Sequence, residues 1–159
     1  MVVLIEAFDL PAPALVCCLV EIANARGGIP VVSWKSNTIT RSLLHHGNDT
    51  TFALQGSLEA HTMEQMDAYI RIRGAANRNE FSDVPSEQMQ LFQEHCWQKV
   101  HLAIRVPKTK WVVLRYPTAS MAQSAEKSTE EFEDFYFKVC TADYPKLSEN
   151  QKPLQRRME

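Results

Sequence analysis

The sequence predicts an α/β fold: a three-layer α/β sandwich of about four parallel strands, doubly wound, in the order 2-1-3-4. Three observations lead there. Short apolar runs at residues 2–7, 30–34, 68–74 and 111–116 alternate with longer amphipathic stretches. The first run, V-V-L-I-E-A, is nearly unbroken, as in strands covered on both faces. Helix start and stop signals flank the amphipathic stretches, giving the element order β-α-β-α-α-β-α-β-α. Strands that alternate with helices pair in parallel through right-handed crossovers.

The elements follow in order. After the first strand, Asp9 is placed to cap a helix whose first turn tolerates Pro11 and Pro13. Leu15, Cys18, Leu19 and Ile22 are its expected buried face, and Gly27-Gly28 its stop. A second strand covers residues 30–34. Ser36 or Asn37 then caps a short helix ended at Gly47, and Asp49 or Thr50 starts a longer one marked by Phe52, Leu54, Leu58, Met63 and Met66. The third strand, residues 68–74, leads into the polar loop A-A-N-R-N-E-F-S-D. Pro85 opens a helix with Met89, Phe92, Cys96 and Val100 on one side, and Pro107 is expected to close it.

Residues 108–140 spell out strand, turn and helix locally. Trp111, Val112, Val113, Leu114 and Tyr116 suit a pleated surface, and Pro117 has no N–H to continue a ladder. A polar loop with Thr118, Ser120 and Gln123 follows. Ser128-Thr129-Glu130-Glu131 has the form of a capping box, with acidic residues where the helix dipole favours them. Phe132, Phe135, Tyr136, Val139 and Cys140 form one apolar helical face. Residues 1–143 are therefore expected to form the α/β domain, and residues 144–159 a carboxy-terminal helix or linker.

Composition excludes several function classes. The 159 residues are 45% hydrophobic and 23% charged with a net charge of −2, an ordinary globular balance without the basic surface of a nucleic-acid binder. No apolar run approaches the ~20 residues that span a bilayer, and no basic region precedes the first apolar residues as in a signal peptide. Cys17, Cys18, Cys96 and Cys140 sit in apolar surroundings without a C-x-x-C, so buried, reduced thiols in a cytoplasmic chain are expected. F-D-L-P-A-P after the first strand has no glycine, and the phosphate-cradling G-x-x-x-x-G-K-[ST] loop is missing, which argues against nucleotide binding by those routes.

No catalytic constellation is visible. His45-His46 and the His61-x-x-Glu64 pair lack an H-E-x-x-H or a companion carboxylate cluster and read as solvent-facing helix residues. Cys96 lies on an apolar face and its neighbour His95 points elsewhere, so it reads as an inert thiol. The most polar concentration is at the carboxyl end of the third strand, where Arg71 and Arg73 alternate with Ile70 and Ile72 and Asn77, Arg78, Asn79 and Glu80 follow. If the third and fourth strands pair, Arg115 and Thr118 stand beside it. In doubly wound sheets ligands gather at such strand ends. A surface for a carboxylate or another domain and a plain solvated rim both remain open for these residues.

W-V-V-L-R-Y-P-T-x-x-M-A-Q followed by S-T-E-E-F-E-D-F resembles the amino-terminal domain of the aminopeptidase T and aminopeptidase S family of metallo-aminopeptidases, also called thermophilic metalloproteases. V-L-I-E-A-F-D-L-P, M-D-A-Y-I-R-I-R-G-A-A-N-R-N-E and S-D-V-P-S-E-Q-M resemble it too, in the same order, so the resemblance covers nearly the whole chain. It implies enzymes that remove amino-terminal residues from peptides with two divalent metal ions held in a carboxy-terminal domain. None of those ligand motifs has a counterpart here, so no catalytic or metal residue and no cofactor is assigned to this segment. The resemblance therefore implies a non-catalytic amino-terminal domain that meets peptide only with the metal-binding domain. The alternative is a stand-alone interaction module. Family members carry a helix before the first strand and a domain after the last helix, so uncovered apolar surface and a homo-oligomer are expected.

Overall fold

The structure, a computed structural model, describes residues 1–158. It divides into two compact units, the first Met1–Tyr116 and the second beginning at Pro117. In the first unit the elements are β1 (Val2–Phe8), α1 (Ala14–Ala25), β2 (Ile29–Lys35), α2 (Asn37–His46), α3 (Asp49–Glu64), β3 (Ala68–Arg73), α4 (Ser86–Phe92), a π-helix (Gln93–Arg105), the single turn α5 (Val106–Lys108) and β4 (Lys110–Arg115). The four strands form one all-parallel sheet in the order β2-β1-β3-β4, as the alternation of strands and helices predicts.

Register explains the two faces of the sheet. Val3, Ile5 and Ala7 of β1 and Ile72 of β3 point one way, onto Leu10 and Val16, with Leu15, Leu19, Val20 and Ala23 of α1 packed around them. The helix thus docks through positions 15, 16, 19, 20 and 23, so Leu15 and Leu19 of the expected Leu15-Cys18-Leu19-Ile22 set are in place. Cys18 and Ile22 are exposed. On the other face Leu4 and Tyr69 pack with Met63 of α3 and Val100 and Ile104 of the π-helix. A third cluster, Leu44, Phe52 and Cys96, joins α2, α3 and the π-helix.

Several local signals act differently from expectation. Asp9 does not cap α1, which starts after Pro13 without a side-chain cap. Its carboxylate instead accepts the Asn37 N–H at 3.0 and 3.1 Å, serving the first turn of α2 from the end of the neighbouring strand. α3 starts at Asp49, as expected, and Asn48 caps it, accepting from the Thr51 N–H at 3.0 Å. The helical rod opened by Pro85 runs to Lys108, so Pro107 lies in its last turn and the rod ends one residue beyond it. Of the four cysteines only Cys96 is buried; Cys17, Cys18 and Cys140 are exposed, and all are free thiols.

The second unit holds α6 (Ala119–Ser124), α7 (Thr129–Cys140) and α8 (Tyr144–Met158). The stretch expected as a polar loop forms α6, with Thr118 as its N-terminal flanking residue. Ser128 caps α7 as predicted, accepting from the Glu131 N–H at 3.2 Å. The Glu131 carboxylate pairs with Lys127 instead of closing the box. On α7 Phe132 is 8% exposed whereas Phe135 is 54% exposed, so the buried face is narrower than the apolar pattern implies. Ser128→Ala is expected to cost about 1 kcal/mol through loss of the cap. Phe132→Ala is expected to cost about 3 kcal/mol or more, and Phe135→Ala under about 1 kcal/mol. Urea titrations followed by helical circular dichroism rank the three.

Candidate functional site

The polar residues of the first unit converge at the carboxyl ends of β1, β2 and β3. Glu6 stands one step past Leu4 on the same face of β1, so the strand that contributes Leu4 to an apolar cluster also buries a carboxylate, 5% exposed. In the sheet Glu6 lies beside Ser33 of β2 and Arg71 of β3; one step on, Phe8 lies beside Lys35 and Arg73. Those steps of two put Glu6, Lys35, Arg71 and Arg73 on one face. The π-helix and α3 wall the same face, and between them lies a cleft of about 260 Å³.

Glu6 is held from three sides. The Tyr69 hydroxyl donates a short hydrogen bond to it. Lys35 Nζ lies 2.9 Å from one carboxylate oxygen, and Arg71 Nε lies 3.8 Å from the other. Burial pushes the Glu6 carboxyl up, but Lys35, Tyr69 and Arg71 together outweigh it and hold it below the usual range. Lys35 reaches Glu59 of α3 as well, at 2.7 Å. Burial pulls its ammonium down, yet the two carboxylates win and raise it. Glu6 and Lys35 therefore stay charged at neutral pH.

The guanidiniums are held by their faces. Arg71 lies over the Phe8 ring at 4.2 Å and Arg105 over the Tyr69 ring at 3.6 Å. Arg105 also meets His101 Nδ1, four residues back on the π-helix. Burial, then the Arg105 charge, push the His101 imidazole down to about 3, so it is neutral at pH 7 and accepts the guanidinium N–H. The i→i+5 ladder of a π-helix widens the turn, and Trp97, His101 and Arg105, at intervals of four, all line the cleft.

Of the residues singled out from the sequence, Arg71 and Arg73 line this cleft. Asn77, Asn79 and Glu80 form a closed turn after β3: Asn77 Oδ1 accepts the Asn79 N–H at 3.0 Å, and Asn77 Nδ2 donates to Glu80 at 3.3 Å. Arg115 ends β4 beside Arg73 in the register. Thr118 flanks α6 in the second unit, its Oγ1 3.0 Å from Ser120 Oγ. Sequence reading missed Glu6, Lys35, Glu59, His101 and Arg105. One signal was present: a single acid inside V-V-L-I-E-A-F, where an unpaired charge is rarely buried.

His101 gives this site a pH signature. Its imidazole titrates near 6.5 when unfolded and near 3 when folded, so between those values the unfolded chain binds the extra proton and stability falls as pH falls. Glu6, also depressed, acts in the same direction at the acid end. Urea midpoints at pH 7, 6 and 5 are expected to decline for the unaltered chain and to decline less for His101→Gln.

Among known proteins, the family model described as thermophilic metalloprotease (M29) matches residues 2–158. No curated protein matches. Among solved structures, wild-type AmpT from Thermus thermophilus superposes with a TM-score of 0.59 at 16% sequence identity, over 82% of this chain and 36% of that one. This chain thus spans little more than a third of the AmpT chain, and the likeness extends to the fold. With the family model matching from the start of β1 to the end of α8, the chain belongs to the thermophilic metalloprotease (M29) family.

Proposed function

We propose that this chain acts as the amino-terminal, non-catalytic part of a metallo-aminopeptidase, with peptide hydrolysis carried out by two divalent metal ions held outside it. The observation that carries the reading is the match to a metalloprotease family over residues 2–158 by a chain whose own donors do not suit a metal pair. Glu6 and Glu59 are occupied by Lys35, Tyr69 and Arg71, and four cations line the cleft that contains them. Among the described residues no three of His, Cys, Asp and Glu are grouped to hold a metal ion. The residues therefore do not fit the family's metals, and no catalytic step is derived through them. The compartment we propose is the cytoplasm, in keeping with four free thiols. Among the described residues no helix is long and apolar enough to cross a membrane.

A second reading, a self-associating module, is favoured by exposed apolar residues on the sheet edges. On β4 Trp111, Val112 and Val113 are about half exposed, and on β2 so are Val32 and Trp34. Such edges invite pairing with another chain. A homodimer is the simplest closed assembly.

Two measurements test these readings. Incubation of the purified chain with an aminoacyl chromogenic substrate and zinc, cobalt or manganese is expected to give no turnover; activity that follows the chain and disappears with chelator would overturn the first. Sedimentation equilibrium is expected to give twice the 18.1 kDa chain mass, shifting towards the monomer in Trp111→Lys. A monomer at high concentration removes the second.

A further inference from the structure

The cleft at the carboxyl ends of β1, β2 and β3 carries more positive charge than its own residues neutralise. Lys35, Arg71, Arg73 and Arg105 face Glu6 and Glu59, four cations against two carboxylates. Both carboxylates are committed to Lys35, and Glu6 also to Tyr69 and, at 3.8 Å, to Arg71. Arg73 makes no ion pair among the described residues, and it stands in register with Arg115. Burial, then the like charges of Arg71 and Arg115, hold its guanidinium below the usual range.

The arginines are also short of hydrogen-bond partners. Nε of Arg71, 3.8 Å from Glu6, and Nε of Arg105 are buried with no acceptor within hydrogen-bond distance, and Arg105 is only 6% exposed. A buried donor without a partner is costly, and costlier on a charged group. Aromatic rings take one face of each of these two guanidiniums; beyond Arg105 Nη1, which meets His101, their N–H edges are suited to planar recognition of an oxyanion. The place agrees with the general rule for doubly wound sheets, whose ligands sit beyond the strand carboxyl ends where the strand order turns, here between β1 and β3.

The volume indicates more than a bare ion. About 260 Å³ is several times the roughly 30 Å³ share of a water molecule in the liquid. Part of the wall is aromatic, from Phe81, Phe92 and Trp97. We propose that this cleft binds a small organic carboxylate bearing an apolar group, its anion taken by Arg71, Arg73 and Arg105 and its apolar part lying against that aromatic wall. This goes beyond the family assignment and stands on the cleft alone, so it can fail while the non-catalytic reading holds, and the reverse.

Calorimetric titration of the full chain with three probes tests it: N-acetyl-leucine, the uncharged N-acetyl-leucinamide, and inorganic phosphate. N-acetyl-leucine is expected to saturate one site per chain. The amide, which lacks the charge, is expected to bind at least about tenfold more weakly, and phosphate, which lacks the apolar group, also more weakly. Arg73→Ala is expected to weaken N-acetyl-leucine about tenfold while keeping the unfolding midpoint, since Arg73 is exposed at the end of β3. No saturable binding of N-acetyl-leucine at millimolar concentration overturns the proposal. So does equal binding of the amide, which removes the role of charge, or equal binding of phosphate, which removes the apolar group. Unchanged affinity in a folded Arg73→Ala overturns it by placing the site elsewhere. The three-probe comparison on the unaltered chain decides without any variant.

Discussion

A buried carboxylate on the central strand organises the functional face. Glu6 sits in β1, between β2 and β3, and is almost fully covered. Burying such a charge is favourable only when cations and donors replace water, and stripping a partner from a buried pair costs about 3–5 kcal/mol. The replacements come from separate elements: Lys35 from β2, Tyr69 and Arg71 from β3. Lys35 then reaches α3 through Glu59. Satisfying one acid thus fixes three strand ends and a helix relative to one another, and it sets the arginines around a common space.

The helical wall is placed by packing of a different kind. A Cβ at Gly56 would lie 2.0 Å from the His95 carbonyl oxygen, so any larger residue would force α3 away from the π-helix. With that close approach, Cys96 seals against Phe52 while Trp97 lines the cleft. The buried positions Cys96, Val100 and Ile104 fall four apart along the same helix. In the widened turn, one stripe serves the apolar cluster beneath the sheet and the next serves the polar cleft. Long π-helices are uncommon because their ladder is less favourable than the α-helical one. Here two buried stripes, one apolar and one cationic, are accommodated along a single rod.

What the sequence revealed and what it hid divide along local and long-range lines. Strand runs, the Ser128 cap and the alternation of β and α segments are written in neighbouring residues, so the parallel sheet and even its order were legible. Arg71 and Arg73 stood out because alternation with Ile70 and Ile72 is a local pattern. Glu6, Lys35, Glu59 and Arg105 gain their meaning only when the sheet brings segments up to a hundred residues apart together, and no spacing along the chain announces that. Asp9 shows the same limit: next to α1 in sequence, it satisfies α2 in space. Helix faces failed more gently. On α1 and α7 the apolar residues are broader than the surface actually covered, so periodicity gave the stripe and not its edges.

Electrostatics sets what the cleft between the strand ends and the helices can hold. A divalent cation needs several uncommitted carboxylates or imidazoles, whereas the two cleft acids, Glu6 and Glu59, are already paired and His101 accepts from Arg105. Adding a divalent charge beside Lys35, Arg71, Arg73 and Arg105 would be opposed by all four, at distances where a low-dielectric site screens poorly. The same surplus reverses sign for an anion: each cation then attracts, and the Nε donors of Arg71 and Arg105 gain the hydrogen-bond acceptors they lack. Charge balance, more than shape, therefore decides which chemistry this face supports, and it favours holding an oxyanion over activating water.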